Sequence, residues 1–145
     1  MTLEELEKRL VTIRKEEAVT FKMLRERGLS RETIMHIHEG KDYNITSLFK
    51  YLDALMYVIE VNGVIVANIK GFGQILRVIR LATNKTILQI QSELVWSAKQ
   101  VLAIEKGRGY TRNSLLKYSS IINVNYELIS VFDLSRELRE ALFEN

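Results

Sequence analysis

Sliding the chain against itself by 67 positions brings two stretches into register without a gap. The first is GLSRETIMHIHEGKDYNITSLFKYLDALMYVIEV, from Gly28; the second is VWSAKQVLAIEKGRGYTRNSLLKYSSIINVNYEL, from Val95. Nine pairs are identical: Ser30/Ser97, Ile37/Ile104, Gly40/Gly107, Tyr43/Tyr110, Ser47/Ser114, Leu48/Leu115, Lys50/Lys117, Tyr51/Tyr118 and Glu60/Glu127. Most other pairs keep apolar character, as Ile34/Val101 and Met35/Leu102 do. A duplicated pattern must give two similar units, because the same spacing of apolar residues creates the same face to bury.

Each copy reads as a series of short helices. Thr2 and Glu5 have the spacing of a capping box, and Leu3, Leu6, Leu10 and Ile13 follow as an apolar stripe. A helix is expected over about 19–27, stopped by Gly28. Ser30 caps the next, which ends at Gly40, and Thr46 or Ser47 caps a fourth. In the second copy Phe72, Ile75, Leu76 and Ile79 open the series, and a helix follows over about 86–94. Ser97 and Gln100 form another capping box, Gly107 ends that helix, and Leu115, Leu116, Tyr118, Ile121 and Ile122 complete the copy. Between the copies, Asn62-Gly63 flanked by β-branched residues predicts a type I′ hairpin, whose two turn positions need positive φ. YELISVF at the matching place after the second copy reads as a strand or an extended tail, and Ser135 caps a last helix. The expected class is mainly α: two tandem helical units, 1–56 and 70–126, a β-hairpin connector over 57–69, and a C-terminal strand and helix over 127–145.

Charge separates the copies. Residues 1–69 carry ten Lys/Arg against eleven Asp/Glu, whereas residues 70–126 carry nine against only Glu93 and Glu105. Residues 127–145 are acidic, with two Arg against five carboxylates. Basic charge concentrated in a segment of this length is the footprint of a nucleic-acid-binding module. The chain has no cysteine, which excludes disulfides and thiolate metal sites. The polar N-terminus MTLEELEKRL does not read as a signal peptide, and VNGVIVANI is too short to span a bilayer, so a cytoplasmic protein without membrane contact is expected.

The run TILQIQSELVWSAKQVLAIEKGRGYTRNSLLKYSSIINV resembles the lambda-repressor-like, or XRE-type, helix-turn-helix family. The carriers are Thr86, Ile90, Leu94, Ser97, Val101, Ile104, Glu105, Gly107, Leu115 and Leu116, and through the repeat the likeness extends more weakly to the first copy. Three features depart from the family pattern. Ile87 stands where the family often has a DNA-contacting Gln, Gln91 replaces the small residue of the second helix, and the turn Leu94-Val95-Trp96 lacks glycine. In the first copy Val19 aligns with Thr86, and His38 replaces the Glu of the Ile-Glu-x-Gly signature, so that copy reads as degenerate.

The resemblance implies a transcriptional regulator, repressor or antitoxin-like, that binds double-stranded DNA through a helix over 97–106 in the major groove. It implies base-facing positions at Ser97, Ala98, Lys99, Gln100 and Ala103. Lys99 suits guanine, Gln100 suits a bidentate pair with adenine, and the alanines allow close approach. Lys85, Lys106, Arg108 and Arg112 bracket the helix and suit phosphates, and Thr86 at a helix start adds N–H donors. Secondary contacts are expected from Arg31, Thr33, His36 and Lys41, where Glu32 and Glu39 oppose phosphate. A homodimer is expected, as is a protein partner such as a toxin in the antitoxin case. The alternative is a protein–protein adaptor that kept the helical scaffold without DNA binding. Gly71-Phe72-Gly73 and Gly107-Arg108-Gly109 read as linker and helix stop rather than phosphate loops. His36 and His38, two apart, do not share a helix face, so no metal site is expected. No catalytic constellation or cofactor motif stands out, and an enzyme is not expected.

Overall fold

The structure is a computed structural model that describes residues 1–143. It is mainly helical with one small antiparallel sheet. The first four helices are α1 (Leu3–Glu16), α2 (Phe21–Glu26), α3 (Arg31–Glu39) and α4 (Thr46–Leu55). The hairpin β1 (Tyr57–Val61) and β2 (Val64–Val66) comes next. Then follow α5 (Ile69–Ala82), α6 (Ile87–Leu94), α7 (Ala98–Glu105) and α8 (Arg112–Ser119). Strand β3 (Tyr126–Ser130), a short 3-10 turn and α9 (Arg136–Phe143) end the described chain.

Local chemistry sets most of these boundaries. Both expected capping boxes form: Glu5 N–H donates to Thr2, and Gln100 N–H to Ser97, with the Glu5 and Gln100 side chains reaching back. Asn62 and Gly63 take φ of 48° and 86°, as the hairpin requires. Three expectations are corrected. Gly71-Phe72-Gly73 is no linker but lies inside α5, with Phe72 fully buried. The helical glycine is fixed by packing, because a Cβ on Gly73 would lie 2.6 Å from the backbone oxygens of Ile104 and Glu105. Neither Thr46 nor Ser47 caps α4; Asn44 precedes it and accepts from the Thr46 N–H and hydroxyl. Finally, Val19 is not the counterpart of Thr86. Thr20 caps α2 as Thr86 caps α6, and the bounds of α1 and α5 and the starts of α2 and α6 correspond at a shift of 66, with one extra residue placed inside α6.

The copies meet about an approximate two-fold axis. Asn44 bridges Thr111 antiparallel, the Ile45 N–H donates to Tyr110 O at 2.8 Å, and the Arg112 N–H donates to Tyr43 O at 2.8 Å. Strand β1 pairs with β3 antiparallel with Glu60 opposite Glu127. In each case the partners, or the pairs of bonds, exchange when a residue is replaced by its repeat equivalent 67 positions away. The sheet order is β2-β1-β3, so both edges of β1 are occupied. Strand β1 therefore has a partner on each side, and Met1 exchanges hydrogen bonds with the backbone of Tyr126 on β3. One hydrophobic cluster runs from Leu3 to Tyr126 through both copies, with Tyr51, Phe72 and Tyr118 fully enclosed.

Candidate nucleic-acid interface

Two buried ion pairs organise the interior, and each takes a residue that sequence alone assigns elsewhere. Arg80 of α5 donates from Nε and Nη2 to both carboxylate oxygens of Glu105 on α7, at 2.7 and 3.0 Å. Its remaining Nη1 donates to Lys85 O at 2.9 Å, and Tyr118 Oη donates to Glu105 Oε2 at 2.8 Å. A buried guanidinium–carboxylate pair needs further hydrogen bonds to offset its desolvation, and here Lys85 O and Tyr118 Oη supply them. The Glu of the Ile-Glu-x-Gly signature is thus a structural anchor between helices.

Glu7 and Arg112 form the second pair, joining α1 to α8 across the two-fold at 2.7 and 2.9 Å. Tyr43 Oη donates to Glu7 Oε2 at 2.6 Å. Burial, followed by the Glu7 charge, pushes the Tyr43 phenol well up. Arg112, expected at a phosphate, is only 5% exposed and committed to Glu7, so it cannot reach a ligand. Charge counting could not separate it from a surface cation, because its partner lies 105 residues away.

The other expected DNA contacts of the second copy are exposed or half-exposed on and beside α6 and α7. Ser97, Ala98, Lys99 and Gln100 are exposed at the start of α7, Ala103 is half-buried, and Lys106 and Arg108 are exposed at its end. Thr86 is exposed at the start of α6. Lys85 sits beside it, ion-paired to Glu93 at 2.9 Å. Gln100 carries a complication: its Oε1 accepts the Ser97 N–H at 2.8 Å, leaving only its amide N–H groups for a ligand. A bidentate pair with adenine needs both ends and therefore loses to the cap unless the box opens. The removal of Arg80 and Arg112 into ion pairs leaves seven exposed or half-exposed cations over residues 70–126 facing Glu93 alone.

In the first copy Arg31 and Lys41 are exposed, and Thr33 and His36 half-exposed. Lys41 pairs with Glu39 at 2.8 Å, and His36 Nδ1 lies 2.9 Å from Asp42 O. Exposed Lys22, Arg25 and Arg27 on and beside α2 add basic charge that the repeat, beginning at Gly28, did not bring into view. Among the described residues no three His, Cys, Asp or Glu are placed to hold a metal ion, and no helix is long and apolar enough to cross a membrane. No family model, curated protein or solved structure matches the chain.

Proposed function

We propose that the chain is a sequence-specific DNA-binding regulator of the lambda-repressor-like kind, with α7 as the helix that reads bases. The observation that carries this reading is the repeated pair of capped helices about the two-fold. A Thr-capped helix leads into a Ser-capped helix in each copy, α2–α3 and α6–α7, with the first turn of α3 and α7 exposed. A helix whose first turn is exposed and small or basic can enter a major groove. Lys99 makes the base contact, Lys85, Lys106 and Arg108 hold phosphates, and Arg31, Thr33, His36 and Lys41 on and beside α3 give secondary contacts that position the first copy without reading bases.

Two-fold recognition, expected from a homodimer, is available here within one chain. The two arrangements differ in stoichiometry: one chain per duplex against two, read by light scattering of the complex at tens of micromolar. The DNA reading itself is tested by fluorescence anisotropy against duplexes selected from a random pool. With roughly five phosphates neutralised, log K falls against log salt with a slope of about −4 to −5. A flat salt response overturns it. The adaptor reading is favoured by one observation, the exposure of Val78, Leu81 and Leu88. It predicts no retention on heparin or DNA resin at low salt.

A further inference from the structure

The second copy has a groove that the first copy lacks. It runs between α5, the start of α6 and α7, encloses 680 Å³, and is floored by Val78, Ile87 and Leu102. It continues past Leu81 to Thr86 through an adjoining hollow of 460 Å³. Val78 and Leu81, three residues apart on α5, are 58% and 52% exposed, a high fraction for aliphatic side chains. Contiguous exposed apolar surface rimmed by polar groups marks an interaction site rather than ordinary surface. The rim here is basic, formed by Lys70, Arg77 and Lys106. None of the three is within ion-pair distance of a carboxylate among the described residues. The acid at its base, Glu105, is already neutralised by Arg80.

The repeat supplies an internal comparison. The positions of Val78, Leu81 and Leu88 are Thr12, Lys15 and Lys22 in the first copy, and those of Lys70 and Lys106 are Glu4 and Glu39. The first copy therefore keeps the frame, but its own cleft is polar, lined by Glu4, Glu7 and Glu39 together with Lys8, His38 and Arg112. The floor positions Ile87 and Leu102 keep apolar counterparts in Phe21 and Met35, whereas the exposed apolar Val78 and Leu81 and the basic rim are not demanded by the fold, since the twin packs without them.

We propose that this groove receives an amphipathic helix of a partner protein, whose apolar stripe covers Val78, Leu81 and Leu102 and whose flanking residues are acidic. Helix α5 has 14 residues, about 21 Å of wall, which suits a partner helix of three to four turns. Lys70, Arg77 and Lys106 supply the charge complementarity that orients it. The proposal does not rest on DNA binding, although Lys106 serves both readings.

The test uses the full chain and a synthetic 14-residue peptide, the length of α5, with leucines at helical spacing flanked by glutamates. A matched peptide carries lysine for each glutamate, and a duplex oligonucleotide is the third probe. Methyl NMR reports on Val78, Leu81 and Leu102. The expected result is saturable shifts at these methyls with the acidic peptide only. The double variant Val78→Thr with Leu81→Lys, which installs the first-copy residues, weakens this binding by about tenfold or more. Both positions are exposed, so an otherwise unchanged amide spectrum shows that the variant still folds. Three outcomes overturn the proposal: no shift at these methyls, equal affinity for the lysine peptide, or the same methyl shifts from duplex DNA alone.

Discussion

In the second copy, Arg80, Glu105 and Tyr118 close a network in which each guanidinium nitrogen and the Tyr118 hydroxyl donates a hydrogen bond. The corresponding residues of the first copy are Arg14, His38 and Tyr51. Arg14 makes the equivalent bond to backbone, from Nη1 to Val19 O at 3.0 Å, and His38 Nε2 lies 2.8 Å from Tyr51 Oη. The carboxylate, however, is gone. Arg14 Nε is buried without a hydrogen-bond partner, and its guanidinium lies over the Phe21 ring at 5.1 Å instead. The frame has survived the loss of its central anion because an aromatic face takes up part of the cation's demand. A second substitution separates the copies at the next helix contact. Gly73 lets α5 lie against the carbonyls of α7, whereas Glu7 fills the equivalent place on α1 and reaches across the two-fold to Arg112. The first copy has therefore spent its ion pair on joining the halves, and the second on holding itself together.

The largest expected effect tests that contrast directly. Glu105→Ala strands Arg80 and Tyr118 in the interior and costs about 3–5 kcal/mol, measured by urea denaturation at unchanged slope. His38→Ala leaves no new buried charge and costs far less. Equal losses would break the comparison. Next comes ligand binding. Lys99→Ala weakens specific DNA binding by about 1–3 kcal/mol, whereas Glu32→Ala or Thr33→Ala leaves it nearly unchanged by anisotropy. Similar losses from all three mean that both copies read bases. Lys99 is the cleaner probe, because Gln100→Ala also removes a helix cap.

Restoring the missing anion is expected to stabilise. His38→Glu gives Arg14 Nε an acceptor and Tyr51 Oη a charged partner, for a gain of about 1–2 kcal/mol by urea denaturation. A loss would mean that the Phe21 arrangement excludes a carboxylate. The turns offer a smaller contrast. Val95 holds φ of 55° while its counterpart Gly28 holds 90°. A β-branched residue there is strained, and at 90% exposure its side chain repays little through packing. Val95→Gly gains about 0.5–1 kcal/mol after the entropy of glycine is subtracted, and Gly28→Val loses about 1–2 kcal/mol. The smallest effect is in pH. Burial, then the Arg14 and Lys15 charges, lower the His38 pKa below its ordinary 6.5. The folded state therefore favours the neutral ring. That contribution is complete above about pH 6.5 and is lost as pH falls toward the folded value. Wild type should lose stability in that window relative to His38→Gln, in parallel urea titrations.

What could be read in advance was local. The boxes at Thr2–Glu5 and Ser97–Gln100 and the Asn62-Gly63 turn depend on residues within three positions of each other, and each formed. What escaped was decided by distant neighbours. Gly73 looks like a helix breaker until the backbone of Ile104 and Glu105 lies against it. Arg112 counts as surface charge until Glu7 is brought to it. The single residue added inside α6 was hidden because the gapless register began after it, which misplaced Thr20 and left the basic side chains of α2 unweighed. Of the expected contact residues, those at the start of α7 are exposed, while Arg112 is buried in an ion pair.

Because the two-fold through Asn44/Thr111 and Glu60/Glu127 is covalent, its halves never have to find each other. A pair of separate subunits occupies a symmetric target in proportion to the square of subunit concentration while mostly dissociated, which makes a threshold. Tethering removes that step, since the second half arrives at an effective concentration fixed by the connector. Occupancy of any target gripped by both halves then rises in simple proportion to the amount of chain, without a lag at low expression. Linkage also frees the halves to drift separately, so a symmetric target is no longer enforced. The dose response would be graded, and the shape of the site free to become lopsided.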